Sequence, residues 1–573
     1  MKIDFSIGAE LSSFISIKID EIAKETRQDY TELISTVSQK NNLGNNIDWW
    51  VQSPSSRNTI ASPLFYYLCV IRLINRLISD NHHISEIIVD SFALKIIIRD
   101  LVSKRSVRIP VHGPNNSIAN RLHRIIKNIE IVFNTLKDKL YLLIFSRRTK
   151  NLQKPMIDGS LTLIDTFVYP GYISKDRYYN GLWKNLSKDQ RSLTYFVPTL
   201  NNIPTHGIIS AYEELRKSDR NFLIKEDYFN FYDLLFAILH CFRILFIKVK
   251  SVFFEDLDVS TLMIEEMLKF NGFPNAVESL LNFRFAKALK KKQIKLKLVV
   301  NWFENQVVDK GWNAGFSRFY PKTHTLGYRG YITSDLYLCT LPSKCENINK
   351  LIPKEIAVIG KGLCDSIKEF DSTLKIKVVP AFRFSHLWED YESKLDSKKF
   401  TIFFPMPYSI QDSQEILQAL IKSSDFMVAN DIRITLKSHP TMSIEDVKNL
   451  IGSDYFNIFS LVDEPFIESL SKSNLLISGL SGAAIESIVF GIPVLLLRNR
   501  RGITFNPIPK DIPQGIWSIC DSSDQIIEFI KKQYTISNDE LMNYKKFGKQ
   551  VRERYFEPIN NQSVYNFLEF ESN

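Results

Sequence analysis

From residue 84 onward, short apolar runs alternate with longer amphipathic segments. An apolar run bounded by turn residues is typical of a buried parallel strand, and a segment with apolar residues on a helical period is typical of a helix packed on the sheet. Strands are predicted at residues 84–90, 106–111, 160–167, 193–198, 221–224, 294–301, 323–331, 355–359 and 374–379, and again at 400–404, 432–436, 456–461, 475–477, 494–497 and 515–519. The pattern therefore predicts an α/β fold.

A charged stretch near residues 380–398 divides these strands into two groups. A chain of 573 residues is too long for one hydrophobic core, so each group is predicted to form its own parallel sheet. We expect a helical N-terminal region at residues 1–80, a Rossmann-like domain at 81–385 and a second Rossmann-like domain at 386–573. A polar helix at residues 538–556 is expected to pack back across the first domain.

Two helical insertions interrupt the first domain, at about residues 116–155 and 229–290. In the first insertion, apolar residues recur with the period of a helix, and many of the positions between them are basic. The basic residues are Arg121, Arg124, Lys127, Lys137, Lys139, Arg147, Arg148, Lys150 and Lys154. The second is almost wholly apolar at residues 234–247 and is followed by Lys248 and Lys250. Helices of this kind can lie in the headgroup layer of an anionic membrane, where each basic residue contributes about 1 kcal/mol. The alternative is a helical pair packed on the domain, with its charges in solvent.

The charge balance narrows the range of partners. The net charge is +10 and the isoelectric point is about 9.0, which suits a nucleotide, a nucleic acid or a membrane surface. No nucleic-acid recognition motif accompanies this charge, so nucleic acid is not expected as a partner.

The cysteines and the N-terminus bear on the compartment. The 6 cysteines are scattered without metal-ligand spacing, as in a reduced cytosolic protein without structural zinc. The first residues include an early acid and no continuous apolar core, so no secretory signal is predicted, and no stretch is apolar enough for a transmembrane helix. We expect a cytoplasmic protein, which is peripheral on the inner face of the cytoplasmic membrane if the basic insertions touch lipid.

Two polar clusters follow predicted strands of the second domain, at residues 437–440 and 478–486. The carboxyl ends of parallel strands are where α/β sheets bind ligands, and small residues leading into a helix present free backbone N–H groups to an anion. The groups expected to bind a phosphate are Lys437, His439, Ser478, Gly479, Ser481 and Gly482, on neighbouring strands. The alternative is that the Ser-Gly turn only caps a helix and that His-Pro only ends a strand.

Two facing Rossmann-like domains with a phosphate site on the second are the architecture of GT-B glycosyltransferases. The pair His439-Pro440 and the serines Ser478 and Ser481 resemble the motifs of bacterial GT-B enzymes that use CMP-activated sugars, the sialyltransferases and Kdo transferases, and of CDP-glycerol polymerases. Residues 163–167, 175–178, 302–306 and 326–328 resemble the bacterial surface carbohydrate biosynthesis proteins. The resemblance covers roughly residues 84–530.

The resemblance implies roles for residues of the second domain. His439 would bind, and could protonate, the leaving phosphate; Ser478 and Ser481 would hold this phosphate, and Glu486 would face the ribose. Pro407 and Tyr408, in the loop after the strand at residues 400–404, are further candidates for nucleotide-sugar binding.

Glycosyl transfer also needs a carboxylate in the first domain, as base or nucleophile. The acidic-acidic-Gly motif of the sialyltransferases is absent, since the nearest string, Asp158-Gly159, precedes a strand. We favour Glu304, which follows an apolar strand among aromatic and amide residues, over Asp165 and Asp176.

Two arginines of the first domain are candidates for binding the acceptor or a sugar carboxylate. Arg177 lies in an aromatic and charged loop at residues 169–179. Arg329 could bind a carboxylate or phosphate through two parallel hydrogen bonds, or form a structural ion pair. His324 and His386 have no partner at ligand spacing, so no metal and no other cofactor is expected.

The sequence therefore predicts a glycosyltransferase for a bacterial surface polysaccharide, capsule or O-antigen, that moves a Kdo-like or sialic-acid-like sugar from a CMP donor to a glycan or lipid-linked glycan. The alternatives are a transferase using a UDP- or GDP-sugar or CDP-glycerol, and a non-catalytic scaffold bound to a membrane.

Overall fold

The computed structural model describes residues 1–153, 159–173, 175–389, 391–395, 399–407, 409–439, 442, 444–451, 458–479 and 481–569. Asp158, Tyr408 and Pro440, which the sequence singled out, lie outside these residues. Within the described part, no helix is both long enough and apolar enough to cross a bilayer.

Residues 1–112 form a separate unit, called here the N-terminal unit, around a small parallel sheet. Its elements are β1 (Lys2–Asp4), α1 (Ser13–Lys40), α2 (Ile47–Trp50), α3 (Leu64–Ser79), β2 (Glu86–Ile88), α4 (Phe92–Lys104) and β3 (Val111–His112), and β2 lies between β1 and β3. Helix α3 is apolar on nearly all sides and is buried at the centre of this unit. Helix α5 (Ile118–Thr149) leads from it to the first large domain.

The N-terminal unit corrects two expectations. The prediction that the strands near residues 84–90 and 106–111 begin the first Rossmann-like sheet is wrong, because β2 and β3 pair with β1 instead. The N-terminal region is also not purely helical, since the chain opens with β1. A strand of 3 residues is too short to give a recognisable alternation of apolar and polar positions.

The first large domain is built on a parallel sheet of six strands with the order β11-β10-β9-β8-β4-β5. Its elements are β4 (Ser160–Val168), α6 (Lys188–Leu193), β5 (Thr194–Leu200), α7 (Ile208–Lys217), α8 (Phe231–Ile238), α9 (His240–Arg243), β6 (Phe253–Phe254), β7 (Leu257–Asp258), α10 (Ser260–Met267), α11 (Phe273–Lys291), β8 (Lys295–Trp302), α12 (Val307–Phe319), β9 (His324–Arg329), α13 (Lys344–Ile348), β10 (Glu355–Val358), α14 (Cys364–Ile367) and β11 (Ile376–Val378). Strands β6 and β7 form a separate hairpin, and this hairpin and α10 pack in the core of the N-terminal unit. The strand expected at residues 221–224 is a single bridge between Phe196 and Phe222.

The second large domain carries another six-stranded parallel sheet, with the order β14-β13-β12-β15-β16-β17. Its elements are β12 (Thr401–Pro405), α15 (Ile410–Ile421), α16 (Ser424–Ala429), β13 (Arg433–Lys437), α17 (Ile444–Ile451), β14 (Phe459–Leu461), α18 (Phe466–Ser471), β15 (Leu475–Ser478), α19 (Ala483–Val489), β16 (Val494–Leu497), β17 (Trp517–Cys520), α20 (Ser523–Tyr534), α21 (Asn538–Tyr555) and α22 (Asn561–Leu568). The predicted α/β class with two parallel sheets is confirmed.

The last two helices return to the first domain, which the sequence predicted for the helix at residues 538–556. The backbone N–H of Glu557, just after α21, donates to the carbonyl of Ile359 at 2.6 Å. On α22, Phe567 packs against Tyr179, Tyr328 and Phe382. One hydrophobic core therefore runs from the first sheet through these helices into the second.

Candidate active site between the sheets

Each six-stranded sheet reverses its strand order at one point, and α/β sheets bind ligands outside the carboxyl ends of the strands at such points. In the first sheet the reversal lies between β4 and β8, which are followed by the loop carrying Arg177 and by Glu304. In the second sheet it lies between β12 and β15, which are followed by Pro407 and Gly479. Several candidates from the sequence therefore lie at the two points where a ligand is expected.

A cavity of about 870 Å³ lies between the second sheet and the N-terminal unit. On one wall, Ser478 and Leu497 end β15 and β16; on the other, Ile7, Asp90 and Pro114 follow β1, β2 and β3. The carboxyl edges of two parallel sheets thus face each other across the cavity. Of the predicted site residues that the structure describes, Ser478 and Gly479 line it and the others do not.

Three cations of the cavity wall form no salt bridge with any described residue: Arg124 and Lys127 from α5, and Arg501 after β16. The carboxylate of Asp90 is engaged, because it accepts hydrogen bonds from the Tyr67 hydroxyl at 2.9 Å and from the Ile7 N–H at 3.0 Å. This part of the wall offers positive charge to a ligand.

Three further acids of the wall are partly buried or hydrogen-bonded to backbone N–H groups. Burial raises the pKa of Asp412 and of Glu415, and Glu415 also accepts the N–H of Arg500 at 2.9 Å. Glu265 accepts the N–H of Ala93 at 2.9 Å. The wall therefore favours an anionic ligand with an apolar part, such as a nucleotide.

The Ser-Gly turn has a geometry that admits a close ligand. Gly479 faces Pro407, whose side chain would lie 3.6 Å from a Cβ added to the glycine. The Ser478 hydroxyl is buried and donates to the Gly479 carbonyl at 3.1 Å, whereas the Ser481 hydroxyl accepts the N–H of Ala483 at 3.3 Å. The Ser481 hydroxyl therefore contacts the start of α19, and its contact with a phosphate stays a prediction.

His439 and Ser478 are not on neighbouring strands, contrary to our expectation. Strand β12 lies between β13 and β15, so the two residues are separated by two strand spacings, about 10 Å. Burial lowers the pKa of His439, and the nearby charge of Arg177, across the cleft in the first domain, lowers it further. The Lys437 ammonium donates to the Glu464 carbonyl at 2.7 Å and is already engaged.

Glu486 and His386 are partners, which the sequence did not indicate. The Nε2 of His386 lies 2.7 Å from Oε2 of Glu486, and His386 belongs to the segment that joins the two sheets. Gly482, one helical turn earlier, faces Phe384 of the same segment. The start of α19 is therefore tied to the linker, and a contact between Glu486 and a ribose remains a prediction.

Glu304 lies on an aromatic surface at the end of β8. The indole N–H of Trp302 donates to its Oε1 at 2.8 Å, and the amide of Gln306 donates to Oε2. The ring of Tyr178 packs on Trp302 at 4.3 Å between centroids. Because Tyr178 is adjacent to Arg177, which approaches His439, Glu304 and His439 belong to the same interdomain cleft.

The two other candidate carboxylates are held inside the first domain. Asp165 is buried, and burial raises its pKa to about 6, although the nearby charge of Lys225 acts in the opposite direction. Asp176 accepts the N–H groups of Tyr178 and Tyr179 and pairs with Arg220 at 2.9 Å. Asp165 is thus buried, whereas Asp176 is partly exposed like Glu304 but is held in an ion pair.

Arg329 is buried beside this cleft. It donates to the Thr340 carbonyl at 2.9 Å, and its Nε has no hydrogen-bond partner among the described residues. Burial lowers its pKa, and the charge of Glu304 opposes that shift. It forms no ion pair with a described residue, so the structural ion pair considered from the sequence is absent there.

His324 has partners, contrary to the sequence-based expectation. Its Nδ1 lies 2.6 Å from Glu569 and its Nε2 lies 3.7 Å from Glu355, a grouping that could ligate a metal. The ammonium of Lys377 lies 3.4 and 3.2 Å from the same carboxylates. Because this cation already neutralises the cluster, an ion pair network between α22 and the first sheet accounts for it.

No model of a known protein family matches this sequence, and no curated protein matches it. Three solved structures are similar over 72% of the chain: a glycosyltransferase from Rickettsia africae ESF-5 (12% identity, 98% of that chain, TM-score 0.40), the S. aureus MnaA–UDP complex (12%, 98%, 0.40) and an α,α-trehalose 6-phosphate synthase from Burkholderia multivorans (8%, 96%, 0.43).

The class of fold follows from the topology of the molecule itself. The second sheet has the strand order 3-2-1-4-5-6 of the Rossmann fold, and the first has the flavodoxin-like order 2-1-3-4-5 with one more strand. Two such domains linked by one segment and crossed by the C-terminal helices form the GT-B architecture. The chain therefore has the two-domain arrangement of the GT-B fold, together with an additional N-terminal unit.

Several residues of the cavity wall were not found from the sequence. Asp90 ends a predicted strand, so the strand-end rule could have singled it out. Arg501 and Arg498 also line the cavity, and Arg498 is bound to Asp20 and Asp521. Lys127 faces the cavity because α5 passes over it, and no pattern in the sequence indicates that placement.

Proposed function

We propose that this protein is a glycosyltransferase that binds a nucleotide-activated sugar at the second sheet. The observation that carries the proposal is the position of Ser478 and Gly479 at the switch point of a sheet in Rossmann order, on the wall of a cavity of about 870 Å³. A cavity of that size accommodates a nucleotide sugar. The cations Arg124, Lys127 and Arg501 would attract the anionic donor into this cavity.

The proposed donor is a CMP-activated Kdo-like or sialic-acid-like sugar, and the proposed product is a bacterial surface polysaccharide, capsule or O-antigen. The motifs around His439 and Ser478 support this choice by their resemblance to CMP-sugar transferases. The lowered pKa of His439 favours the neutral imidazole, which suits a hydrogen-bond donor to the leaving phosphate. UDP- or GDP-sugars and CDP-glycerol are the alternative donors.

Glu304 is the proposed catalytic carboxylate. As a base it would take the proton of an acceptor hydroxyl while the oxygen attacks the anomeric carbon and the bond to the phosphate breaks, with the electron pair leaving on the phosphate. As a nucleophile it would attack the same carbon itself. Its hydrogen bonds from Trp302 and Gln306 support both roles, because they hold the carboxylate at the cleft.

Thermal unfolding with CMP, UDP and GDP tests the donor site. Ligand at about 100 times its dissociation constant should stabilise the protein by about 2.7 kcal/mol. We expect CMP to raise the melting temperature of the wild type. Gly479→Leu should fold, since its Cβ meets ordinary contacts, but it should fill the cavity and abolish the CMP shift.

Matched variants separate the site from its surroundings. His439→Ala should reduce the rise in melting temperature that CMP causes. His206→Ala, at an exposed histidine of the first domain, should show the same rise as the wild type. Glu304→Gln should keep the CMP-induced rise in melting temperature but should no longer transfer the sugar to an acceptor. A shift with UDP and none with CMP would overturn the proposed donor, and no shift with any nucleotide would favour the non-catalytic scaffold.

A further inference from the structure

Helix α5 exposes an apolar stripe to solvent. Its large apolar side chains at Ile118, Leu122, Ile125, Ile126, Ile129 and Phe133 are exposed, with Ile118 77% and Phe133 64% accessible. Their spacing places them on one side of the helix. A folded protein rarely leaves such a contiguous stripe in water unless it binds something.

A second exposed apolar surface follows on α8, α9 and the turn at residues 244–246. Its members are Phe231, Tyr232, Leu235, Leu239, Phe242, Leu245 and Phe246, with Tyr232 74% and Phe246 81% accessible. Other side chains of the same segment, such as Leu234 and Ala237, are buried against the domain. The segment is therefore anchored on one side and presents aromatic rings on the other.

The two surfaces belong to helices that share a support. Helices α5 and α8 both pack on α11: Lys139 of α5 binds Glu278, and Arg284 of α11 donates to Asp233 of α8 at 2.6 Å. At the end of α5, Arg147 donates to the Phe229 carbonyl at 3.3 Å. Because α11 lies beneath both helices, their outward sides point away from the same support. We call this surface the α5–α8 face.

Basic residues flank the apolar residues of this face. Apart from the cavity residues Arg124 and Lys127, the exposed cations on or just after α5 are Arg121, Lys137, Arg147, Arg148 and Lys150, against the exposed acids Glu130 and Asp138. Lys248 and Lys250 are exposed after the second surface. Apolar side chains surrounded by cations match the boundary between acyl chains and anionic headgroups.

We propose that the α5–α8 face binds the surface of an anionic lipid membrane. A second copy of this chain is a poorer occupant, because a twofold contact would set the same cations against each other. The membrane also accounts for the mixture of residues, since protein interfaces are depleted in lysine.

The position of the face has a consequence that rests on the proposed function. Asn120, Lys127 and Asn128 of α5 line the cavity, while Leu122, Ile126 and Ile129 of the same helix belong to the α5–α8 face. A membrane bound there would bring the cavity next to the headgroup layer. The acceptor would then be a lipid-anchored glycan, which reaches the cavity without leaving the bilayer.

Flotation with phosphatidylcholine vesicles, with and without phosphatidylglycerol, tests the membrane contact. The wild type should float only with the anionic vesicles, and high salt should release it. The variant Leu122→Gln/Ile126→Gln/Phe246→Ser should lose flotation. The variant Arg121→Gln/Lys137→Gln/Arg148→Gln should bind at least about tenfold more weakly, and it leaves the cavity cations Arg124 and Lys127 in place.

Controls at other exposed positions complete the design. Two control variants remove exposed apolar residues or exposed lysines outside the α5–α8 face: Ile348→Gln/Met542→Gln and Lys532→Gln/Lys546→Gln/Lys549→Gln. Both should float like the wild type. Equal flotation of all variants, or apolar-dependent dimers in light scattering without flotation, would overturn the proposal. The CMP shift measured without vesicles should be unchanged in the face variants, so failure of the membrane contact and failure of the proposed function are distinguishable.

Discussion

At the scale of single residues, buried charges join the units of the molecule. Glu346 of the first domain binds Arg57 of the N-terminal unit at 2.7 Å and Lys310 of α12 at 2.5 Å, and all three side chains are almost completely buried. Burial alone would raise the pKa of Glu346, but the two cations outweigh it and lower the pKa to about 2. The ionised carboxylate is therefore the form that stabilises the fold.

The pH dependence of this triad is predictable. Because the folded pKa lies below the ordinary value of 4.5, the stabilisation is present above that value and is lost as the pH falls toward 2. Glu346→Gln should be strongly destabilised at pH 7, by about 3–5 kcal/mol, since two buried cations lose their partner. Urea unfolding at a series of pH values measures the difference in free energy of unfolding between the wild type and Glu346→Gln. This difference should become smaller below about pH 4.5. A gap that stays constant with pH would contradict this role for the carboxylate.

The residues of the candidate site were predictable where they follow strands. Ser478, Gly479 and Glu304 come directly after apolar runs, so the sheet edge to which they belong could be read from the sequence. Their partners could not, because the contact between Glu486 and His386 joins positions 100 residues apart through tertiary packing. The hydrogen bond from Lys437 to the Glu464 carbonyl could not be predicted for the same reason, because it depends on the turn after β14.

At the scale of elements, helices α11 and α12 pack at unusually close range. Gly311 on α12 donates its N–H to the Ser279 hydroxyl at 2.8 Å, and a Cβ at this position would clash with the Ser279 backbone. Gly315, one turn further, would place a Cβ 3.0 Å from the Phe283 Cα. The two glycines allow α12 to lie against α11 and so fix the position of Glu304, which precedes α12.

Replacing these glycines with alanine should have two opposing effects on stability, one through helix propensity and one through packing against α11. Alanine favours an isolated helix by about 1 kcal/mol over glycine, but overpacking costs about 1–3 kcal/mol or more. Gly311→Ala should therefore lower the melting temperature, and Gly315→Ala should lower it less because its contacts are looser. A Gly311→Ala protein as stable as the wild type would mean that α12 can shift away from α11 at little cost.

Long periodic elements were predictable from the sequence, and short ones were not. The strands at residues 401–405, 433–437 and 494–497 lie within a residue or two of their predicted positions because each is a distinct apolar run between turns. Strands β1, β2 and β3 have only 2 or 3 residues each, and their pairing is set by the helices of the N-terminal unit. The sequence therefore predicted the two large sheets but assigned β2 and β3 to the wrong one.

At the scale of the whole molecule, Arg498 links the second sheet to the N-terminal unit. Its guanidinium binds Asp20 of α1 and Asp521 after β17, and Asp20 also accepts the Thr504 N–H at 2.8 Å. The loop between β16 and β17 packs in the core of the N-terminal unit through Ile503. Arg498, Ile503 and Thr504 also line the cavity, so this contact joins its two walls.

Breaking this link should loosen the cavity. In Arg498→Gln the buried Asp20 carboxylate loses its cation, so we expect a loss of about 3–5 kcal/mol and faster proteolysis of the loop at residues 499–506. Arg76→Gln is the matched control, because its ion pair with Glu25 lies within the N-terminal unit, is largely exposed and should contribute about 1 kcal/mol or less. Adding Asp20→Asn to Arg498→Gln should recover part of the loss, since the uncompensated charge is then removed. If the double variant is as unstable as the sum of the single ones, the two residues act independently and the link does not hold the walls together.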